Sequence, residues 1–344
     1  LVERLGAQGA WAKILEGALG DASGRRAAAV SLDVVDRLAL ESEIRFVVPG
    51  DEEWPAGLQD LDQTELIQRR GGQPFGLWLR GPGHLAELMQ RSVAVVGSRA
   101  ATAYGGGVAS DLAADLCDLG VTVVSGGAFG IDVAAHNGAL AAGGRTVGVV
   151  ANGVDVPYPV AHTRLFQTLA REQLIVSELP PGAHPTRVRF LSRNRLIAAM
   201  SCGTVVVEAA LRSGARNTAG WASECQRPLM AVPGPIYSLA STATHLMIRT
   251  GQAVLVTSAA EVVEMISGFG QDLLPLAHGP GRRTDDLSAA QLAVFEAVPA
   301  RRRTSVGDVA LAAGLSVPTT LAALAHLETI ALVEGDDRGW LATP

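Results

Sequence analysis

Cysteine is scarce and scattered in this chain. There are three residues, Cys117, Cys202 and Cys225, and no C-x-x-C pair. A disulfide framework or a zinc site needs closer clustering, so reduced thiols are expected. No apolar run approaches the roughly 20 residues that span a bilayer, and no membrane partner is expected. The chain opens on Leu1-Val2-Glu3-Arg4 with no initiator methionine and no basic-then-apolar leader. Secretion is therefore not expected, a cytoplasmic protein is, and the sequence reads as trimmed at its start. An excess of positive charge is missing too. The 28 Lys and Arg are outnumbered by 34 Asp and Glu, for a net charge of −6. That excludes a uniformly basic DNA-coating protein and confines any nucleic-acid contact to a local patch. No internal repeat is present.

Hydrophobic residues make up 48% of the 344 and charged residues 18%, enough apolar surface for a large core. Residues 1–45 read as a helical region with apolar positions Leu1, Leu5, Trp11, Ile14 and Leu15. Beyond a transition at 46–90, short valine-rich runs appear at Val93–Val96, Val121–Val124, Val147–Val150, Leu174–Val176, Val205–Val207, Leu229–Val232 and Val254–Val256. Runs without polar alternation suit strands buried on both faces. Their alternation with Ala- and Leu-rich stretches of helical length predicts an α/β fold: a Rossmann-like, mostly parallel sheet with helices on both faces, over 46–267. Residues 268–286 are rich in Gly, Pro and polar residues and read as a linker. Over 287–344, three short helices and two strand-like pieces, Ala331–Val333 and Trp340–Ala342, follow the order of a winged-helix domain.

Ligands of such sheets bind beyond the carboxyl ends of the strands, and the unusual residues fall there. Gly97-Ser98-Arg99 follows a strand, and its hydroxyl and guanidinium suit a phosphate; a plain strand-to-helix turn with a surface arginine reads the same way. Ser125-Gly126-Gly127-Ala128-Phe129-Gly130 opens a helix and exposes backbone N–H groups to an anion. Asp132 and His136 share a helical face. We read them as a helix cap and a satisfied hydrogen bond in preference to an acid–base pair. Between 183 and 216, six arginines (187, 189, 193, 195, 212 and 216) face one acid, Glu208, for a local charge of +5. Arg189, Arg193, Asn194 and Arg195, with Phe190 as a stacking platform or a core residue, suit a groove that tracks a nucleic-acid backbone. Glu208 ends a strand, where it could bind a ribose hydroxyl, serve as a glycosidic nucleophile or orient an arginine. Ser213-Gly214 and Asn217 form a further anion-binding helix start.

Several of these segments, in order, carry a family resemblance. Val-Val-Gly-Ser-Arg at 95–99, Ser-Gly-x-x-x-Gly-Ile-Asp-x-x-Ala-His at 125–136 and Gly-x-Asp-x-x-Tyr-Pro at 153–159 come first. Ser-Glu-x-Pro-Pro-Gly at 177–182, Phe-x-x-Arg-Asn-Arg-x-Ile-Ala at 190–198, Val-Val-Glu-Ala at 206–209, Ser-Gly at 213–214 and Val-Pro-Gly at 232–234 follow. From about Trp54 to Ile266 the chain resembles the DNA-processing protein A family, DprA or Smf. The resemblance implies a protein that binds single-stranded DNA, homodimerises and loads the RecA recombinase during natural transformation, with no catalysis and no cofactor. Departures stand at Val160, where some relatives have lysine, at Phe129, where a basic residue is frequent, and at Ala243, where glycine is. Two rival readings are a nucleotide N-glycosidase using Glu208 and a protein-interaction scaffold. The first lacks the Pro-Gly-Gly-x-Gly-Thr run expected of it, and the second leaves the arginines unexplained.

Overall fold

The computed structural model describes residues 2–28, 30–67, 71–268, 271–274 and 283–343. Leu1 and much of the expected linker, residues 269–270 and 275–282, lie outside the described residues. The chain divides into two compact units, Leu1–Leu274 and Pro275–Pro344.

The first unit opens with helices α1 (Val2–Leu15), α2 (Asp21–Ala28) and α3 (Leu32–Glu41). Leu5, Trp11 and Leu15 are exposed there. A nine-stranded sheet follows, of β1 (Ile44–Val47), β2 (Leu77–Arg80), β3 (Ser92–Val96), β4 (Thr122–Ser125), β5 (Thr146–Val149), β6 (Leu174–Ser177), β7 (Gly203–Val206), β8 (Leu229–Ala231) and β9 (Val254–Leu255). Their spatial order is β1-β2-β6-β5-β4-β3-β7-β8-β9. Each of the seven valine-rich runs is a strand, and all seven pair in parallel. β1 and β2 add an antiparallel edge. The pattern of β2 is half-buried alternation, the signature of a strand covered on one face only.

Helices α4 (Leu85–Met89), α5 (Ala103–Asp118), α6 (Ile131–Ala141), α7 (Thr163–Glu172), α8 (Arg187–Met200), α9 (Ala215–Glu224), α10 (Thr242–Arg249) and α11 (Ala259–Ile266) connect the strands. Side chains alternate across a strand, so β3 feeds two cores. Val93 and Val95 pack with Leu112 and Leu116 of α5, Ile131 of α6 and Val262 of α11. Ala94 and Val96 pack with Leu196 of α8, Trp221 of α9 and Met247 of α10. Both sheet faces are thus covered, which is why the runs carry no polar alternation. The fold is Rossmann-like α/β.

The second unit contains α12 (Ala289–Ala297), α13 (Val306–Ala313) and α14 (Val317–Thr329), then the antiparallel pair β10 (Val333–Asp336) and β11 (Gly339–Ala342). Ser288, Ser305 and Ser316 cap the three helices by accepting the N–H three residues on. Gly314 ends α13 at φ +67°, a left-handed position that glycine fills without strain. Val294, Val309, Leu324, Leu327 and Leu332 form the core of this unit. No single helix among the described residues is long and apolar enough to cross a membrane.

Candidate nucleic-acid interface

In the sheet, β3 lies between β4 and β7, and the connections leave it in opposite directions. A crevice opens at such a switch point, beyond the carboxyl ends of the two central strands. Here it is a groove of about 1130 Å³. One wall is the turn after β3, Gly97-Ser98-Arg99. Another is the first half of α8, with Arg187, Phe190 and Asn194. The third is the start of α9, with Arg212, Ser213, Gly214, Arg216 and Asn217.

Besides α8, the helices α5, α6 and α9 begin near this point, and a carboxylate already stands at the start of the first two. The Glu208 carboxylate is fully buried. It accepts from the Thr102 backbone N–H at 2.9 Å and from the Thr102 hydroxyl at 2.6 Å, so it is the resident anion at the start of α5. Gly105 is required against it, because a Cβ there would lie 2.2 Å from the carboxylate. Asp132 lies in the first turn of α6, but it ties down the turn before the helix and does not cap it. Its carboxylate accepts from Ala128 N at 3.3 Å and from Gly126 N. Burial pushes the Asp132 carboxyl up, and the Arg193 charge opposes that shift. The glycine-rich turn therefore spends donors on the chain's own carboxylate. The start of α9, like that of α6, has a glycine at its cap and no side-chain cap, but unlike α6 it has no acid in its first turn.

His136 is also interior. The Thr146 hydroxyl donates to Val123 O at 2.8 Å, which leaves its oxygen to accept from His136 Nδ1 at 2.7 Å. Burial, with the Arg193 charge, lowers the imidazole to about 4. It is neutral at physiological pH and cannot shuttle protons there.

Of the residues marked from the sequence, Gly97, Ser98, Arg99, Arg193, Asn194, Ser213, Gly214 and Asn217 line the groove. Ser125, Gly126, Gly127, Arg189 and Arg195 do not. The Ser125 hydroxyl is buried and donates to Val95 O at 2.7 Å. Gly126 is pressed against the Arg193 guanidinium, and Gly127 packs on Phe166. Arg189 donates to His184 O. Arg195 is buried and makes a two-pronged ion pair with Glu178, at 2.6 and 2.9 Å. Acids are absent from 187–195, but the partner arrives from the end of β6. Arg193 is buried as well, 6% exposed. It donates to Gly126 O at 2.9 Å and to Val149 O, with the charge of Asp132 nearby; burial lowers it to about 10, so it stays protonated. The phosphate-binding role assigned to Arg193 and Arg195 thus gives way to a structural one. Their hydrogen-bonding capacity is turned inward.

Among the described residues, the exposed cations of the groove are Arg99, Arg187, Arg212 and Arg216. None of them has an ion pair among the described residues. Among the described residues, the only acid in the lining is buried Asp132. Phe190 is half-buried, with the Arg99 guanidinium 4.8 Å from its ring centroid and the Tyr158 ring at 5.7 Å. Arg187, Phe190, Leu191 and Asn194 form one helical stripe at the spacing i, i+3, i+4, i+7. That spacing is the signal by which Arg187 could have been separated from Arg189 and Arg195 in the sequence.

A Rossmann-like sheet with an arginine-lined groove at its switch point defines an α/β protein whose candidate site is cationic. The chain belongs to the DNA recombination-mediator protein A family, whose model matches residues 45–267. It is 45% identical over 314 residues to the Mycobacterium tuberculosis protein that bears the name DNA processing protein DprA, covering 89% of this chain and 80% of that one. It is 36% identical over 307 residues to the Escherichia coli protein Smf, covering 88% and 76%. The X-ray structure of DNA processing protein A from Streptococcus pneumoniae superposes with a TM-score of 0.61 at 32% identity, over 70% of this chain and 80% of that one. The Helicobacter pylori DNA processing protein A, whose structure was solved for its single-stranded DNA binding mode, superposes at 0.55 with 27% identity, over 65% and 96%.

Proposed function

We propose that this chain binds single-stranded DNA by its backbone in the switch-point groove, within a DNA-binding body of residues 46–267. The observation that carries the reading is the set of four unpaired arginines around a groove with one buried acid, in a protein of net charge −6. The single-stranded DNA named for the H. pylori relative supports it. Phosphates would lie against Arg99, Arg187, Arg212 and Arg216, with Ser98, Asn194 and the Ser213-Gly214 start of α9 supplying neutral contacts. By family resemblance the bound strand is handed to a RecA-type recombinase by a homodimer. A salt titration with a labelled oligonucleotide tests the first step. Four phosphate contacts predict that log affinity falls with log salt at a slope of about −2.8, and a flat titration overturns the reading.

The N-glycosidase reading loses its nucleophile. Glu208 does not line the groove, and both its oxygens are held by Thr102. Incubation with nucleoside monophosphates should therefore release no free base. Glu208→Gln should instead lower thermal stability, by roughly 1–3 kcal/mol for a mispaired buried acceptor. Base release that vanishes in Glu208→Gln would reverse this assignment.

For the second unit we propose a winged-helix, protein-facing module spanning 287–344, joined through 268–286. Its third helix, α14, contains no Lys or Arg, and base readout favours Arg, Lys, Asn or Gln. Glu334 and Asp336 of the hairpin pair with Arg303, whereas Leu311, Val317 and Leu321 are exposed. Deleting residues from 284 onward should leave single-stranded DNA affinity within about threefold, under roughly 1 kcal/mol. A larger loss would place DNA contacts in this unit.

A further inference from the structure

The loop between β8 and α10 raises three large apolar side chains into solvent: Ile236 is 78% exposed, Tyr237 94% and Leu239 81%. Its base is anchored. Tyr104 Oη donates to Pro233 O at 2.5 Å, and His245 Nε2 lies 3.0 Å from Gly234 O. Ser238 N donates to Pro235 O at 2.9 Å, closing the turn beneath the tip. A Cβ on Gly234 would meet Ser241 Oγ at 2.1 Å, so the loop is folded tightly upon itself. A tip held this way keeps apolar surface in water, and such surface marks a binding site.

Two observations say what it binds. The first is continuity with the groove. Ala243 N, just past the loop, donates to Ala209 O at 2.8 Å, and Ala210 and Leu211 are groove lining. Tyr104, the loop's other anchor, begins the helix that follows Arg99. The second is charge. In the segments flanking the loop, residues 209–250, Arg212, Arg216 and Arg249 are exposed and without an ion pair among the described residues, Arg227 pairs with Asp60, and the one acid is Glu224. The chain on either side of the loop is thus cationic in an acidic protein, which favours a polyanion over a second copy of this chain. The chain also has just three tyrosines, Tyr104, Tyr158 and Tyr237. Each sits in the segment that follows a strand's carboxyl end, after β3, β5 and β8.

We propose that Tyr237, flanked by Ile236 and Leu239, is a platform for the unpaired bases of a DNA strand leaving the groove. The inference rests on the groove reading above and extends the site from the β3–β7 switch point to the end of β8. Stacking on an aromatic ring is sequence-tolerant because every base has a π-face. The groove would grip the backbone and the loop would hold bases further along the same strand.

The test compares oligothymidylates of about 5 and about 15 nucleotides, near the two ends of the usual site-size range, on the full chain. A triple variant, Ile236→Ser, Tyr237→Ser, Leu239→Ser, should bind the short strand as the unaltered chain does. It should bind the long strand about tenfold more weakly, and Tyr237→Phe alone should keep the long-strand affinity. A strand carrying 5-iodouracil should photocrosslink to Tyr237 only when long. Equal affinity of variant and unaltered chain for the long strand overturns the platform, as does an equal loss on both lengths. Weakened self-association in sedimentation with long-strand affinity intact overturns it in favour of a second copy. Failure of the unaltered chain to bind either strand overturns the groove reading and the platform together. Binding of both lengths with no loop effect removes the platform alone.

Discussion

Changing Arg99, Arg187, Arg212 and Arg216 together to glutamine is expected to weaken single-stranded DNA binding by about 10²–10³-fold near 0.1 M salt. Each arginine that neutralises a phosphate releases counterions, worth about 0.7 in the slope of log affinity against log salt. Four such contacts amount to about 2.8 decades at that salt. The side chains are exposed and carry no ion pair among the described residues, so their removal should leave the fold intact. Fluorescence anisotropy at several salt concentrations reads both affinity and slope. A contrasting variant is Arg195→Gln. Its guanidinium faces Glu178 at 2.6 Å, so the slope should not move although stability falls. An unchanged slope in the quadruple variant, with normal unfolding, would remove the groove from DNA binding.

The second large effect is on folding. Arg193→Ala should destabilise the protein by about 2–6 kcal/mol, the cost of leaving two buried backbone carbonyls without a donor at about 1–3 kcal/mol each. The Gly126 and Val149 carbonyls lose their donor, and Asp132 is left buried beside an empty space. Asp132→Asn in the same chain should recover part of the loss, because the buried carboxyl whose ionised form the Arg193 charge favours is gone. Urea unfolding of the two single variants and the double variant measures the coupling. A change below about 0.5 kcal/mol for Arg193→Ala, the size of an ordinary surface substitution, would refute the interior role.

Strand placement was legible because burial on both faces writes itself as uninterrupted valine, and Val93–Val96 or Val205–Val207 cannot be read otherwise. The edge strand Leu77–Arg80 was not separable from the transition at 46–90, since its alternation spans four residues. At the groove, Gly97-Ser98-Arg99 and Ser213-Gly214 were legible because a strand end fixes where the next residues point. The arginines of α8 were not. Residues 193–200 are buried all round the helix, so polar and apolar residues show no single face, and the partners that draw Arg193 and Arg195 inward come from β4, β5 and β6. Local sequence contains no record of Glu178 or of the carbonyls of Gly126 and Val149. The two anions that stand at the starts of α5 and α6 were visible as residues, but their targets lie 106 positions away for Glu208 and four for Asp132. The nearer was anticipated as a helix cap, whereas its carboxylate holds the turn before α6 and the helix has no side-chain cap.

The contact between Gly126 and Arg193 bears on how genetic data for this protein would be read. A single methyl group at position 126 would sit 2.3 Å from the Arg193 guanidinium, and one at position 105 would sit on the Glu208 carboxylate. Neither glycine lines the groove. A random mutagenesis screen scored for DNA binding would nonetheless collect alleles at both positions, many of them temperature-sensitive. Mapped onto a linear sequence, those alleles would outline a glycine-rich ligand loop. In the folded chain they outline the supports beneath it.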